Sequence, residues 1–227
     1  MSRAATTTQR RPPPRAKRTA AAKATKPPAR RTQEERRALT IERLIEATIA
    51  SVQEVGYART TVKEICSRAG LSHGALFRFF PRVVDLIVAA GEEIGRRQIA
   101  DFEARFAATR ADGEPLAVAL RLVRETCRSR TNAVFYELLV AARTDRELRA
   151  ALRPWTARYF EAIHAGARKL PGADAFPPEI FEVLVFTVLR AFDGEALTRV
   201  ILPQPKAEER RLELLLAFLE TLRGGAR

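Results

Sequence analysis

From Thr32 onward apolar side chains recur every three to four residues, and no segment alternates as a strand does, so the pattern predicts an all-α body. Thr32-Gln33-Glu34-Glu35 has capping-box spacing, in which a threonine hydroxyl and a glutamate three residues later satisfy free amides at a helix start. A stripe of Leu44, Ile45, Thr48 and Val52 runs on to Val55 with Arg36, Arg37 and Arg43 outward, and Gly56 supplies the stop. Thr61-Val62-Lys63-Glu64 repeats the capping spacing ahead of Ile65, Cys66 and Ala69, and Gly70 stands where a helix end takes a left-handed residue. Leu71 plugs the turn, Ser72 is placed to cap a second short helix from His73 to Phe80, and Pro81 closes it. Two short helices joined by a glycine-containing turn of three to four residues form a helix-turn-helix. Val62, Ile65, Cys66, Ala69, Leu71, Leu76 and Phe80 are spaced to pack on the first helix, which turns Ser72, His73, Ala75, Arg78 and Phe79 away from it.

Val83 to Arg110 reads as one long helix carrying Leu86, Ile87, Ile94, Ile99, Phe102 and Phe106, ended by Asp112-Gly113-Glu114-Pro115. Further helices are expected from about Pro115 to Arg130, Thr131 to Arg143 and Asp145 to Leu170, with Pro154 kinking or restarting the last. Pro171-Gly172 and Pro177-Pro178 mark a loop. The stretch from Glu179 to Ile201 is apolar nearly all round, so one side is expected to face its own domain and the other a partner. After Pro203 and Pro205, Leu212, Leu215, Leu216, Leu219 and Leu222 make a final amphipathic helix.

Charge adds a segment that the periodicity does not show. The 227 residues hold 40 Lys and Arg against 27 Asp and Glu, a formal +13, and ten of the basic residues lie within residues 1–31, where there is no acid. Pro12, Pro13, Pro14, Pro27 and Pro28 and a scarcity of bulky apolar groups predict that this stretch stays disordered. As a coil it spans roughly 30 Å, enough to follow a duplex and neutralise phosphates. It has no continuous apolar segment of a secretory signal; its Arg, Thr and Ala content loosely suggests a transit peptide, against which the proline run argues. The folded remainder is then only about +3.

Cys66 and Cys127 form no Cys-x-x-Cys pattern, so neither a disulfide framework nor a zinc site is expected, and a reducing, cytoplasmic setting fits. The longest apolar stretch, about Ile180 to Leu189, is far short of the roughly 20 residues of a membrane-spanning helix. Two histidines on separate segments, no phosphate-binding glycine loop and no nucleophile elbow leave an enzyme without a catalytic constellation, and no cofactor is called for.

The run Gly56-Tyr57-Ala58-Arg59-Thr60-Thr61-Val62-Lys63-Glu64-Ile65, with Ala69-Gly70-Leu71-Ser72-His73-Gly74-Ala75-Leu76-Phe77-Arg78-Phe79-Phe80, resembles the DNA-binding domain of the tetracycline-repressor (TetR) family. The resemblance covers about fifty residues. Following the disordered basic tail (1–31), it implies an N-terminal three-helix helix-turn-helix DNA-binding domain (32–82) and a C-terminal helical ligand-binding and dimerisation domain (83–227). Thr60, Thr61, Lys63, Ser72, His73, Gly74, Ala75, Phe77, Arg78 and Arg82 are the candidate contacts to double-stranded DNA. Phe135, Tyr136, Trp155, Tyr159, Phe186 and Arg190 are candidates for a small-molecule pocket. Phe181, Leu184, Val188, Leu212, Leu215, Leu216 and Leu219 are candidates for a homodimer interface built from the last two helices. The family usually has Tyr at Phe77, often His at Phe79 and Lys at Val83, so two phosphate anchors are absent; Arg82 and the tail are expected to compensate. The function so implied is a homodimeric transcriptional regulator, a repressor, on a near-palindromic operator and released by a small-molecule effector. The alternative is a nonspecific, architectural DNA-binding protein driven by its basic tail.

Overall fold

A computed structural model of the chain describes residues 32–109 and 113–225; the basic tail and part of the expected break around Asp112 lie outside them. Among the described residues the regular structure is helical throughout. Nine α-helices follow one another in the described residues: α1 (Gln33–Val55), α2 (Val62–Ala69), α3 (His73–Phe79), α4 (Val83–Thr109), α5 (Pro115–Cys127), α6 (Arg130–Ala141), α7 (Arg146–Ala167), α8 (Pro178–Thr198) and α9 (Pro205–Gly225).

Local chemistry sets most of the ends. At the start of α1 the capping box is complete: Thr32 Oγ1 accepts from the Glu35 N–H at 3.1 Å, and Glu35 Oε2 accepts from the Thr32 N–H at 2.8 Å. Only half of the expected box forms at α2, because Glu64 turns to pair with Arg68 at 2.6 Å while Thr61 still accepts from the Glu64 N–H. Asp145 caps α7 by accepting from the Leu148 N–H at 2.9 Å. The break expected after Arg130 comes earlier, since Ser129 caps α6 through the Asn132 N–H. Pro154 neither ends nor restarts α7. It lies on an exposed face, and Ala150, whose carbonyl it deprives of a helical partner, is exposed as well.

Three apolar clusters hold the helices together. In the first, Leu44, Ile65, Leu76 and Leu86 are completely buried, uniting α1, α2, α3 and the start of α4; each such side chain contributes about 1.5–3 kcal/mol by leaving water. The second joins Ile49 and Val52 of α1 to Ile94, Phe135, Leu148 and Trp155 of α4, α6 and α7. In the third, α5 packs with α8 and α9 around Phe192. Since α1 and α4 feed both of the first two clusters, the seam expected between residues 82 and 83 is crossed by packed side chains. A buried ion network reinforces the third: Glu195 accepts from Arg124 at 2.8 Å and Arg128 at 2.5 Å, and pairs with Arg211.

Phe79 departs from the sequence-based face assignment. It packs against the first cluster, and the outward aromatic of α3 is Phe77, at 45% exposure. Adjacent positions on so short a helix differ by about 100°, so the Phe79 ring can reach inward beside Phe80.

Candidate DNA-binding face and ligand cavity

The helix-turn-helix is fixed by its own polar groups. Gly70, at φ 61° and ψ 41°, takes the left-handed position that ends α2, and Arg43 of α1 donates to the Ala69 carbonyl at 2.6 Å. Ser72 then starts α3 by accepting from the Ala75 N–H at 3.2 Å. Lys63, Ser72, His73, Gly74, Phe77 and Arg78 are exposed, Ala75 is half-buried, and no acid lies on α3. A Cβ on Gly74 would meet nothing nearer than Ser72 Oγ at 4.0 Å. The fold itself therefore does not require glycine there, and the space is open to an approaching partner.

Other candidate DNA residues are already engaged. Thr60 donates to the Gly56 carbonyl at 2.8 Å and lies 3.0 Å from Ser51 Oγ, so its hydroxyl points inward. Thr61 serves as the α2 cap. Arg82 holds Asp85 at 2.5 Å and reaches Glu147 of α7 at 3.5 Å; the Arg82 guanidinium holds the Asp85 carboxyl below the usual carboxylate range.

The turn between α1 and α2 is also fastened to the body. Glu137 of α6 accepts from the Tyr57 N–H at 2.5 Å, and the Tyr57 hydroxyl donates to Asp145 at 3.0 Å. Burial, aided by Asp145, pushes the Tyr57 phenol up to about 12, so it remains a donor at physiological pH. Gly56 makes the approach possible, with φ 84° and ψ 162°, a region nearly closed to residues with a side chain.

A cavity of about 460 Å³ opens among α4 to α9, within the size range of small-molecule sites. Of the six candidate ligand residues, Phe135, Tyr136 and Tyr159 line it, and three do not. Trp155 is buried in the second cluster, with its ring against the Gly91 backbone. Phe186 packs edge-on to Phe160, with ring centres 5.3 Å apart. Arg190 points outward, its guanidinium 5.0 Å from the Phe160 ring centre and 2.9 Å from Asp193.

Sequence reasoning missed the cavity's polar wall. The Tyr159 hydroxyl donates to Gln98 Oε1 at 2.7 Å, Gln98 Nε2 donates to Asn132 Oδ1 at 2.9 Å, and Asn132 Nδ2 donates to the Cys127 carbonyl at 3.0 Å. Tyr159 reaches this chain because it lies directly on α4: a Cβ on Gly95 would sit 2.8 Å from its ring. Asp193 completes the wall from α8. Burial pushes its carboxyl up to about 6 against the opposing pull of Cys127 and Asn132; the Arg190 partner is half in water, too screened to reverse that. Burial likewise raises the Cys127 thiol and the Tyr159 phenol, so both are neutral. The one signal available beforehand was Gln98, a polar residue interrupting the apolar line Ile94, Gln98, Phe102.

The candidate dimer residues mostly face inward. Phe181, Val188 and Leu219 are buried within their own chain, and Leu184, Leu212, Leu215 and Leu216 pack half-buried against the same cluster. The apolar groups left at the surface of α8 and α9 are Ile180, Val183, Leu197, Leu214 and Phe218, followed by Val200, Ile201 and Leu202 in the connecting loop. Among the described residues no helix is long and apolar enough to cross a membrane.

Comparison with known proteins agrees with this geometry. Residues 44–90 match the family described as bacterial regulatory proteins, tetR family. The chain is 46% identical over 184 residues to an uncharacterised HTH-type transcriptional regulator of Mycobacterium tuberculosis, Rv2912c, covering 81% of this chain and 94% of that protein. It is as similar to Mb2936c of Mycobacterium bovis. Among solved structures, the multidrug binding protein EbrR complexed with imidazole superposes with a TM-score of 0.60 at 24% identity, over 78% of this chain and 93% of that one. A transcriptional regulator from Rhodococcus sp. Rha1 gives the same TM-score and identity, over 78% and 94% of the two chains. A helix-turn-helix with an acid-free recognition helix, a helical body with a cavity, and relatives of this similarity along most of their length lead to one identification: the chain belongs to the TetR family of transcriptional regulators.

Proposed function

We propose that the chain is a homodimeric repressor that grips a near-palindromic operator through two copies of α3 and leaves it when a small molecule fills the cavity. The observation that carries this reading is the course of α4. It is one helix from Leu86, in the core of the DNA head, to Gln98 and Phe102, in the cavity wall. A ligand that favours one tilt of α4 over another shifts the head by its differential affinity for the two states. A second route runs through α6, where Phe135 and Tyr136 line the cavity and the next residue, Glu137, holds Tyr57.

On this reading Lys63, Ser72, His73 and Arg78 supply polar contacts to phosphates or base edges, while Gly74 and Ala75 admit the major groove. Arg82 joins them by exchanging Asp85 and Glu147 for a phosphate. Ile180, Val183, Leu197, Leu214 and Phe218 meet their counterparts in a second copy. Two-fold symmetry then sets the recognition helices about 34–36 Å apart.

Selection of genomic fragments with the purified full chain tests the proposal. Enrichment of a near-palindrome with half-sites one helical turn apart is expected; enrichment of no sequence overturns it.

A further inference from the structure

We propose that the cavity takes a lipophilic cation, with the carboxylate of Asp193 as its counter-charge. This rests on the cavity being the effector site. Its walls are largely apolar, and Phe102, Phe106, Phe135, Tyr159 and Phe160 contribute rings to them. The neutral polar groups in the wall satisfy one another, since Tyr159, Gln98 and Asn132 form a chain that ends on the Cys127 carbonyl. They leave little for a ligand to complete.

Asp193 is different. Its side chain is only 10% exposed, and its one ionic partner, Arg190, approaches from the solvent side and stands outside the lining. No buried cation of the lining opposes it: Lys169 is exposed and Arg223 is already paired with Glu114 at 2.8 Å. A carboxylate held in an apolar wall is costly unless something offsets it, and a neutral or apolar residue of similar size would serve packing better. An entering ammonium-type group gains attraction at low dielectric from Asp193, and aromatic rings elsewhere in the wall can add to it. An anionic head meets repulsion at the same place, and a neutral ligand gains nothing from the charge.

Three ligands with one ten-carbon chain separate these cases. Decyltrimethylammonium, decanol and decanoate are titrated below their micellar concentrations against the full chain at pH 7.5. Binding is read by calorimetry and by the fluorescence of Trp155, the sole tryptophan, which stacks on Tyr159 with ring centres 5.6 Å apart. The cation is expected to bind at least about tenfold more tightly than decanol, and decanoate more weakly than either. Asp193→Asn lowers affinity for the cation about tenfold and leaves decanol unchanged. Arg190→Gln, a change at an exposed position that does not endanger the fold, tightens the cation several-fold by removing its competitor. Equal binding of the three, tightest binding by decanoate, or an unchanged cation preference in both variants overturns the proposal while leaving the cavity as an effector site. Failure of all three ligands to bind overturns the effector reading as well.

Discussion

Replacing Gly56 by alanine perturbs a residue under two separate constraints. Its backbone sits at φ 84° and ψ 162°, where a residue with a side chain is strained by about 1–3 kcal/mol. The added Cβ would lie 2.7 Å from Glu137 Oε1, the oxygen that accepts from the Tyr57 N–H. A carboxylate on a flexible stem can swing aside, so the clash itself is cheap. The swing breaks the bond to Tyr57, however, which at a half-buried site contributes about 1 kcal/mol. Together these give a loss of about 2–4 kcal/mol, or a fall in Tm of about 5–15 °C for a chain of this size. Thermal unfolding followed by circular dichroism measures it. Glu137→Ala alone isolates the smaller part, and the Gly56→Ala, Glu137→Ala double variant keeps only the backbone part, about 1–3 kcal/mol below Glu137→Ala. Operator affinity without ligand should change little, because α2 and α3 are untouched, whereas release by effector should weaken. A Gly56→Ala protein within about 0.5 kcal/mol of the parent refutes the reasoning.

Three further outcomes follow from the same geometry. On the proposed dimeric reading, Leu214→Glu with Phe218→Glu should leave the chain folded, since both side chains are exposed, yet yield a monomer in sedimentation where the parent is a dimer; a variant as dimeric as the parent removes α9 from the interface. Arg78→Ala should cost about 1–3 kcal/mol of operator binding, and deletion of residues 1–31 should flatten the salt dependence by about 0.9 log unit per lost phosphate contact while keeping site preference; an unchanged salt slope excludes the tail from the duplex. Asp193, raised to about 6 chiefly by burial, binds its proton more tightly folded than unfolded, so its charge costs stability that is absent below about pH 4 and fully felt above about pH 6–7. Asp193→Asn should then be about 2–3 kcal/mol more stable than the parent at pH 8 and nearly equal to it at pH 4; denaturant unfolding showing no gain at pH 8 contradicts that.

The parts of the fold that were legible beforehand are those written in neighbouring residues. Thr32, Thr61 and Ser72 act within three residues of themselves, and Gly56 and Gly70 end helices by their own backbone freedom, so α1 to α3 emerge nearly residue by residue. Around Ser129 the neighbours Arg128 and Arg130 carry no periodic break, so the pattern runs α5 on to Arg130 although the helix ends at Cys127. On α8 the apolar groups run almost all round, which leaves no moment to say which side is the protomer's own. The leucines and phenylalanines chosen for the partner therefore include the ones that face inward, while Ile180, Val183 and Leu197 lie at the surface. The cavity wall was least accessible, because Gln98, Asn132, Tyr159 and Asp193 come from four helices and meet only through tertiary packing. Their hydrogen-bond chain has no counterpart in any one stretch of sequence.

Charge divides in the same way. The excess lies in the tail and the folded body is nearly balanced, so on the proposed function reach and affinity fall to residues 1–31 and choice of site to α3. The affinity of the full chain for its selected operator, measured against random duplex at physiological salt, tests that division most directly. A preference of about 10³-fold or more, carried by α3 and retained when the tail is removed, is expected; a ratio near one would contradict that division and leave a protein that coats DNA through its tail.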